Sequence, residues 1–199
     1  MSFEILDDQH VTAVIPAIPP RVGTHLHRAL DSVLQQDVPV DAISVAVDFA
    51  REGSAATRNR ALEAVTTGWA AFLDDDDEWN TDHIRSLLAC ADETGADMVY
   101  PWFTVPEGWD PWPEREGQPF DPKLLDTQNT IPITCMVRTS LLRAVGGFES
   151  KDPSNPASLC DDWGTWIKLR DVGAKIVHLP RRTWIWHWHG GNTSGRPVW

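Results

Sequence analysis

The sequence predicts an α/β sandwich with a mainly parallel central sheet. Three observations carry that expectation: short apolar runs that end abruptly at a proline or an acid, segments of helical period between them, and repetition of this alternation through the first half of the chain. The first run, residues 11–15 (VTAVI), is β-branched and stopped by Pro16, and the second, 42–47 (AISVAV), is stopped by Asp48. Neither alternates in polarity, as expected of strands covered on both faces. Between them Thr24 is placed to cap a helix whose apolar positions Leu26, Leu30, Val33 and Leu34 follow i, i+4, i+7 and i+8. Ser54 then opens a helix through Ala61, Leu62 and Val65 that runs to Gly68, followed by a third strand-like run, 69–73 (WAAFL). Thr81 caps a helix through Ile84, Leu87, Leu88 and Ala91 to Gly95, and 98–100 (MVY) is a further strand.

The second half is less regular. Residues 101–122 hold six prolines together with Trp102, Trp109 and Trp112. That stretch is too rigid for a helix and too long for a plain connection, so it reads as a functional loop or flap. Beyond it the expected elements are a strand over 131–137, a short helix over 139–145 stopped by Gly146 and Gly147, a longer helix over 161–172, and strands over 175–179 and 183–188. With no internal repeat and 199 residues, the chain is expected to form one domain over 1–199.

Composition narrows the function. Lys and Arg number 17 against 29 Asp and Glu, a net charge of −12, the wrong sign for a surface that neutralises phosphate backbones or anionic lipid, so nucleic acid is not expected as a partner. Glu4, Asp7 and Asp8 stand where a signal peptide would carry basic residues, and no apolar run approaches the ~18 residues of a membrane span. A cytoplasmic protein without a membrane span is expected. Cys90, Cys135 and Cys160 are too dispersed for a disulfide framework or a four-thiolate zinc site, and read as reduced core thiols. Nine of the eleven tryptophans fall from Trp102 onward, so the second half offers flat surfaces for stacking or for ordinary packing.

The strongest chemical signal is the run Asp74, Asp75, Asp76 and Asp77, followed by Glu78 and Trp79, directly after a buried strand. Such a position, at the carboxyl end of the sheet, is where α/β folds bind ligands. Four adjacent carboxylates repel one another; a divalent cation such as Mn²⁺ or Mg²⁺ would offset that repulsion, since hard cations take oxygen ligands and bridge carboxylates to phosphates. The alternative is a solvated acidic turn entering a helix. A calcium loop is excluded, because counting from Asp74 puts Trp79 at the glycine position and Arg85 at the bidentate glutamate position. Asp161 and Asp162 open the longer helix, either as ordinary first-turn acids or, for Asp162 facing a cleft, as a general base. His187 and His189 would share one face of a strand and can bind metal or be hydrogen-bonded in the fold. His10, His25, His27, His83 and His178 lack a companion pattern and read as structural.

In order along the chain, these segments resemble the family 2 glycosyltransferases of the GT-A fold. Val14-Ile15-Pro16 with Arg21 resembles the opening strand and loop of that family, and Leu30, Ser32, Val33, Leu34 and Gln36 its first helix. Arg58-Asn59 before Ala61-Leu62 is similar to A-R-N-x-G, and Phe72 to Trp79 to the fLDxDDxW metal motif. Val137-Arg138 to Gly146-Gly147-Phe148 resembles the acceptor-side strand, helix and GGF turn, Asp161-Asp162-Trp163 with Trp166 the E/D-D-W-x-x-W segment, and His189 to Ser194 the closing H-x-x-x-x-S. One stretch departs: the family's D-D-G-S-T-D after the second strand is represented by Val47-Asp48-Phe49-Ala50-Arg51-Glu52-Gly53, with one aspartate. The sequence also stops soon after the closing segment, which argues against a processive polysaccharide synthase.

The resemblance implies a single GT-A, Rossmann-like domain, residues 1–100 binding a nucleotide sugar and 101–199 serving the acceptor. It implies metal-dependent transfer of a sugar, with inversion, from a nucleotide-diphosphate donor, a UDP-sugar being the first choice, to an acceptor hydroxyl on a protein, glycan or small molecule. Asp77, Asp76 and His189 would hold Mn²⁺ or Mg²⁺, with Asp74 supporting the loop. Pro16, Arg21, Asp48, Arg58 and Asp76 would bind the nucleotide, Asp48 touching the base. Asp162 would be the general base, and Asp161, Trp163, Trp166 and Trp102 would line the sugar and acceptor. Two alternatives stand beside this: a binding protein of the same fold without turnover, and a glycoside hydrolase using Asp76 or Asp77 with Asp162 as its carboxylate pair.

Overall fold

The computed structural model describes residues 9–106, 116–149 and 161–188. Among them, seven strands form one sheet: β1 (Val11–Ala17), β2 (Ala42–Val47), β3 (Trp69–Phe72), β4 (Glu78–Trp79), β5 (Met98–Thr104), β6 (Met136–Arg138) and β7 (Ile176–Ile185), in the order β2-β1-β3-β6-β5-β7-β4. β1 pairs parallel with β2 and β3, and β5 with β7, whereas β6 runs antiparallel to both β3 and β5 and β4 antiparallel to β7. Five strands therefore share one direction, and the sheet is mainly parallel as the sequence predicts. Five helices cover it: α1 (His25–Leu34), α2 (Ser54–Glu63), α3 (His83–Thr94), α4 (Thr139–Ala144) and α5 (Asp161–Asp171).

The unbroken apolarity of the central strands is explained by a core on each face. Val11, Ala13, Ile15 and Ala17 of β1, with Trp69 and Ala71 of β3, pack on Leu26, Ala29 and Val33 of α1 and Ile84 and Leu87 of α3. Val14, Ala70 and Phe72 face the other way, toward Ala61 and Leu62 of α2, Leu142 of α4 and Trp166 and Leu169 of α5. The period of two along each strand thus sends alternate side chains into two apolar layers, giving the α/β/α sandwich.

Several boundaries differ from expectation. β5 continues through Pro101 to Thr104, so the first residues of the Pro-rich stretch are strand. The two strands expected over 175–179 and 183–188 are one strand, β7, whose register to β5 slips between Tyr100 and Trp102 and again before Phe103. Pro101 and Pro180 lack an amide donor, and the first slip lies where the ladder has none to use. The strand expected over 131–137 is confined to Met136–Arg138, and α2 ends at Glu63, short of Gly68. Leu34, assigned to the apolar face of α1, is 71% exposed, since it ends the helix where the chain turns away from the sheet. Cys90 and Cys135 are buried free thiols, whereas Cys160, Trp109 and Trp112 lie outside the described residues. Among the described residues, no helix is long and apolar enough to cross a membrane.

Because β1, β2 and β3 are parallel neighbours, the loops leaving their carboxyl ends meet at one edge. The Asp48 amide donates to the Ala17 carbonyl (2.8 Å) and the Leu73 amide to the Val14 carbonyl (3.1 Å), which fastens the three exits together.

Candidate active site

The acidic run leaves β3 beside the end of β1 and tightens at once into a turn, with the Asp77 amide donating to the Asp74 carbonyl (3.1 Å). That turn sorts four identical side chains into two roles. Asp75 points back toward β1, accepting the Ile18 amide (2.9 Å) and an Arg21 N–H (2.8 Å). Asp74, Asp76 and Asp77 converge, with one carboxylate oxygen of each within 4.8 Å of the others. An oxygen-only set over that span suits a hard divalent cation, whose ligands lie at about 2.0–2.6 Å.

Crowding and burial leave an electrostatic signature. Asp77 titrates well above the ordinary carboxylate range, first because burial disfavours its charge and then because Asp74 and Asp76 repel it. Asp74 is also raised by burial, against the pull of Arg58. The compensating cations come from two separate elements. Arg21, in the 3₁₀ turn Pro19–Arg21, reaches Asp75 and Asp76 at 2.8 Å each. Arg58, buried in α2, donates to Asp74 (3.0 Å) and pairs with Asp161 at the start of α5.

Arg58 therefore joins the acidic turn to the second acidic pair. Burial alone would lower its pKa, but the charges of Asp74, Asp161 and Asp162 outweigh that and keep the guanidinium firmly protonated. Asp162 is raised by burial, with Arg58 opposing. Its Oδ2 accepts the Asn129 side-chain N–H (3.2 Å) and its Oδ1 the Trp163 amide (2.7 Å). The next residue of α2, Asn59, donates to the Phe148 carbonyl (2.7 Å) and accepts the Phe148 amide (2.8 Å). Gly147, at φ +70°, turns the chain against that side chain, where a Cβ would collide with Asn59. The Arg58-Asn59 and Gly146-Gly147-Phe148 motifs thus form one structural unit.

Other expected site residues are placed differently. Trp166 is fully buried, edge-on to Phe148 at 6.0 Å between ring centroids, so it is a core side chain and not a sugar platform. Trp102 is likewise buried, stacked on Phe103 at 4.5 Å. The period of strand and helix turns both rings inward, and single-residue composition carries no sign of that. Trp163 is half-buried on α5, its indole N–H held by the Leu125 carbonyl (2.7 Å). Asp48, at the end of β2, accepts the Glu52 (2.8 Å) and Gly53 (2.9 Å) amides, one on each carboxylate oxygen, and so braces the loop over 48–53. Those bonds, Glu52 first, hold its pKa low. Pro16 closes the buried strand β1 against Ala46 of β2. His189 lies outside the described residues. His187 is half-buried; its amide donates to Asp77 Oδ1 (3.0 Å), and its ring pairs with Glu78. The sequence gives no sign of Asn129 or Arg28: neither lies in a distinctive motif, and only the fold brings them to the acids; Glu78 stands inside the Phe72–Trp79 motif, but its partners Arg28 and His187 are set by the fold.

Comparison with known proteins bears on the family and the fold. The sequence profile described as Glycosyl transferase family 2 matches residues 43–145, over half of the chain. No curated protein sequence matches. Among solved structures, S. aureus TarS 1-349 in complex with UDP-GlcNAc superposes with a TM-score of 0.70 at 17% identity, over 92% of this chain and 60% of that one. The same protein in complex with UDP gives a TM-score of 0.63 at 17% identity, over 90% and 60%. A further S. aureus TarS structure gives 0.65 at 16% identity, over 88% and 36%. This chain thus spans about three-fifths of TarS 1-349, and at that identity the likeness is one of fold, the GT-A type of α/β sandwich. With the family profile running from β2 through the acidic turn to α4, the chain belongs to glycosyl transferase family 2.

Proposed function

We propose that this protein is a metal-dependent inverting glycosyltransferase that moves a sugar from a nucleotide-diphosphate donor to an acceptor hydroxyl. The observation that carries the proposal is the convergence of Asp74, Asp76 and Asp77 at the carboxyl edge of the sheet, joined through Arg58 to the helix turn that bears Asp162. Asp76 and Asp77 would hold Mn²⁺ or Mg²⁺, with Asp74 completing the set. When bound, the cation supplies positive charge against the diphosphate oxygens as the sugar–phosphate bond breaks. Arg21, already at the acids, orients the same phosphates. Asp162 takes the acceptor's proton as its oxygen forms the new bond to the anomeric carbon, while the electrons of the breaking bond leave with the nucleoside diphosphate. A carboxyl raised by burial suits that role, because a general base works best when its pKa lies near the working pH.

The donor is proposed to be a UDP-sugar, since TarS, which shares the fold, is crystallised with UDP-GlcNAc and with UDP. In this reading residues 1–100 bind the donor and the remainder serves the acceptor, all within one domain. The buried free thiols Cys90 and Cys135 suit a reducing, cytoplasmic setting. The decisive experiment is a panel of UDP-, GDP- and dTDP-sugars tested for Mn²⁺-dependent thermal stabilisation, together with release of nucleoside diphosphate. Asp77→Ala is expected to lose the metal-dependent shift, and Asp162→Asn to keep it while losing turnover. Normal turnover by Asp162→Asn would refute the base; an unaltered shift in Asp77→Ala would refute the ligand.

A further inference from the structure

Glu78, the residue after the acidic run, is held from two sides. Arg28 of α1 forms an ion pair with it, Nε lying 3.0 Å from Oε1 without hydrogen-bond alignment, and the His187 ring, just beyond β7, pairs with the same Oε1 through Nε2. Both partners also touch the acidic turn. The second guanidinium arm of Arg28 donates to the main-chain carbonyl of Asp76 (2.7 Å), and the main-chain amide of His187 donates to Asp77 Oδ1 (3.0 Å). One carboxylate therefore fixes two groups, each of which fixes one of the converging acids, one through its backbone and the other through its side chain.

The arrangement has an evident physical purpose. A fifth carboxylate beside Asp74, Asp75, Asp76 and Asp77 adds to the crowding of like charge at this turn, so a neutral residue at 78 would suit a purely structural turn better. Glu78 is not a member of the converging set. Its charge instead draws in Arg28 and orients the His187 ring, and through them it ties together α1, the acidic turn and the segment leaving β7. These three pieces of chain are far apart in sequence, and β4, only two residues long, offers little ladder to hold them.

We infer that Glu78 is a positioning residue for the divalent cation: with Arg28 and His187 it forms a clamp that holds Asp76 and Asp77 in the geometry that binds the ion. This rests on the metal-dependent reading above. Outer groups that orient metal ligands are worth about 10- to 100-fold in metal affinity, and loss of this clamp is expected to fall in that range.

The test is direct Mn²⁺ binding to the purified full chain, by calorimetry or by the electron paramagnetic resonance of free Mn²⁺, with the thermal midpoint of each metal-free variant as the measure of folding. Glu78→Ala is expected to bind Mn²⁺ about 10- to 100-fold more weakly while still unfolding cooperatively. Glu78→Gln, nearly the same shape but uncharged, is expected to fall between it and the wild type, and it carries the test should the alanine variant not fold. Arg28→Ala is expected to reproduce the loss, and the double variant Arg28→Ala/Glu78→Ala to bind no more weakly than the weaker single variant, because the two act as one unit. Wild-type affinity within twofold in folded Glu78→Ala or Glu78→Gln would overturn the clamp while leaving the metal site intact. Failure of the wild type itself to bind Mn²⁺ would overturn the metal reading, and the clamp with it.

Discussion

Four consecutive aspartates are conspicuous in the sequence, yet nothing in a run of identical side chains says which way each one faces. The turn that pairs the Asp77 amide with the Asp74 carbonyl decides it, sending Asp75 to Ile18 and Arg21 and leaving the other three to converge. His83 was legible in the opposite sense: without a companion pattern it read as structural, and it is fully buried, stacked on Trp79 at 4.6 Å, with Nδ1 near the Thr183 hydroxyl (2.8 Å). Burial drives its pKa from 6.5 down to about 3. The unfolded chain takes up this proton as pH falls below about 6.5, whereas the folded chain refuses it until about pH 3. The stability that His83 contributes is therefore complete above pH 6.5 and drains away toward pH 3, at up to about 1.4 kcal/mol per pH unit. Urea unfolding of the wild type and His83→Gln between pH 7 and pH 4.5 should give a shallower acid decline in the variant. Parallel slopes would show that the ring takes up its proton as readily in the fold as in the unfolded chain.

Helices and strands convert such local choices into a site. α2 is the clearest case: consecutive residues Arg58 and Asn59 diverge, the first to Asp74 and Asp161, the second to the backbone of Phe148. Their adjacency is visible in the sequence; their partners, some 15 to 100 positions away, are not. α5 shows the limit of reading aromatic residues by type. Its first turn carries Asp161 and Asp162 toward Arg58, while Trp166, one turn on, is driven into the core beside Phe148. Trp166→Ala should accordingly cost stability of about 3–5 kcal/mol by leaving a cavity, and the surviving folded protein should keep its Mn²⁺-dependent thermal shift. A stable Trp166→Ala protein that had lost sugar binding alone would restore the platform role.

At the scale of the molecule, one edge of the sheet gathers buried acids from two separate stretches of chain. Asp74, Asp75, Asp77 and Asp162 all titrate above the ordinary range, burial being the first cause for each. Folded, these groups hold protons that the unfolded chain has released, so between the unfolded value of 3.8 and their raised folded values stability falls as pH rises. A bound cation must displace the same protons. The stabilisation produced by saturating Mn²⁺ is therefore expected to be larger at pH 8 than at pH 5.5, read as the difference in thermal midpoint with and without the ion. A shift independent of pH over that interval would mean that the ion displaces no proton from the buried acids there.

The order of apolar runs and helical periods was enough to specify an α/β sandwich, its strand-helix alternation and the acids that follow β3, because burial on both faces and a period of 3.6 leave a direct imprint on residue type. Which carboxylates converge, which tryptophans are merely core, and how Arg28, Asn59, Glu78 and Asn129 enter the site were decided only in three dimensions. Those outcomes depend on pairings between positions remote along the chain, and no local pattern of polarity records them.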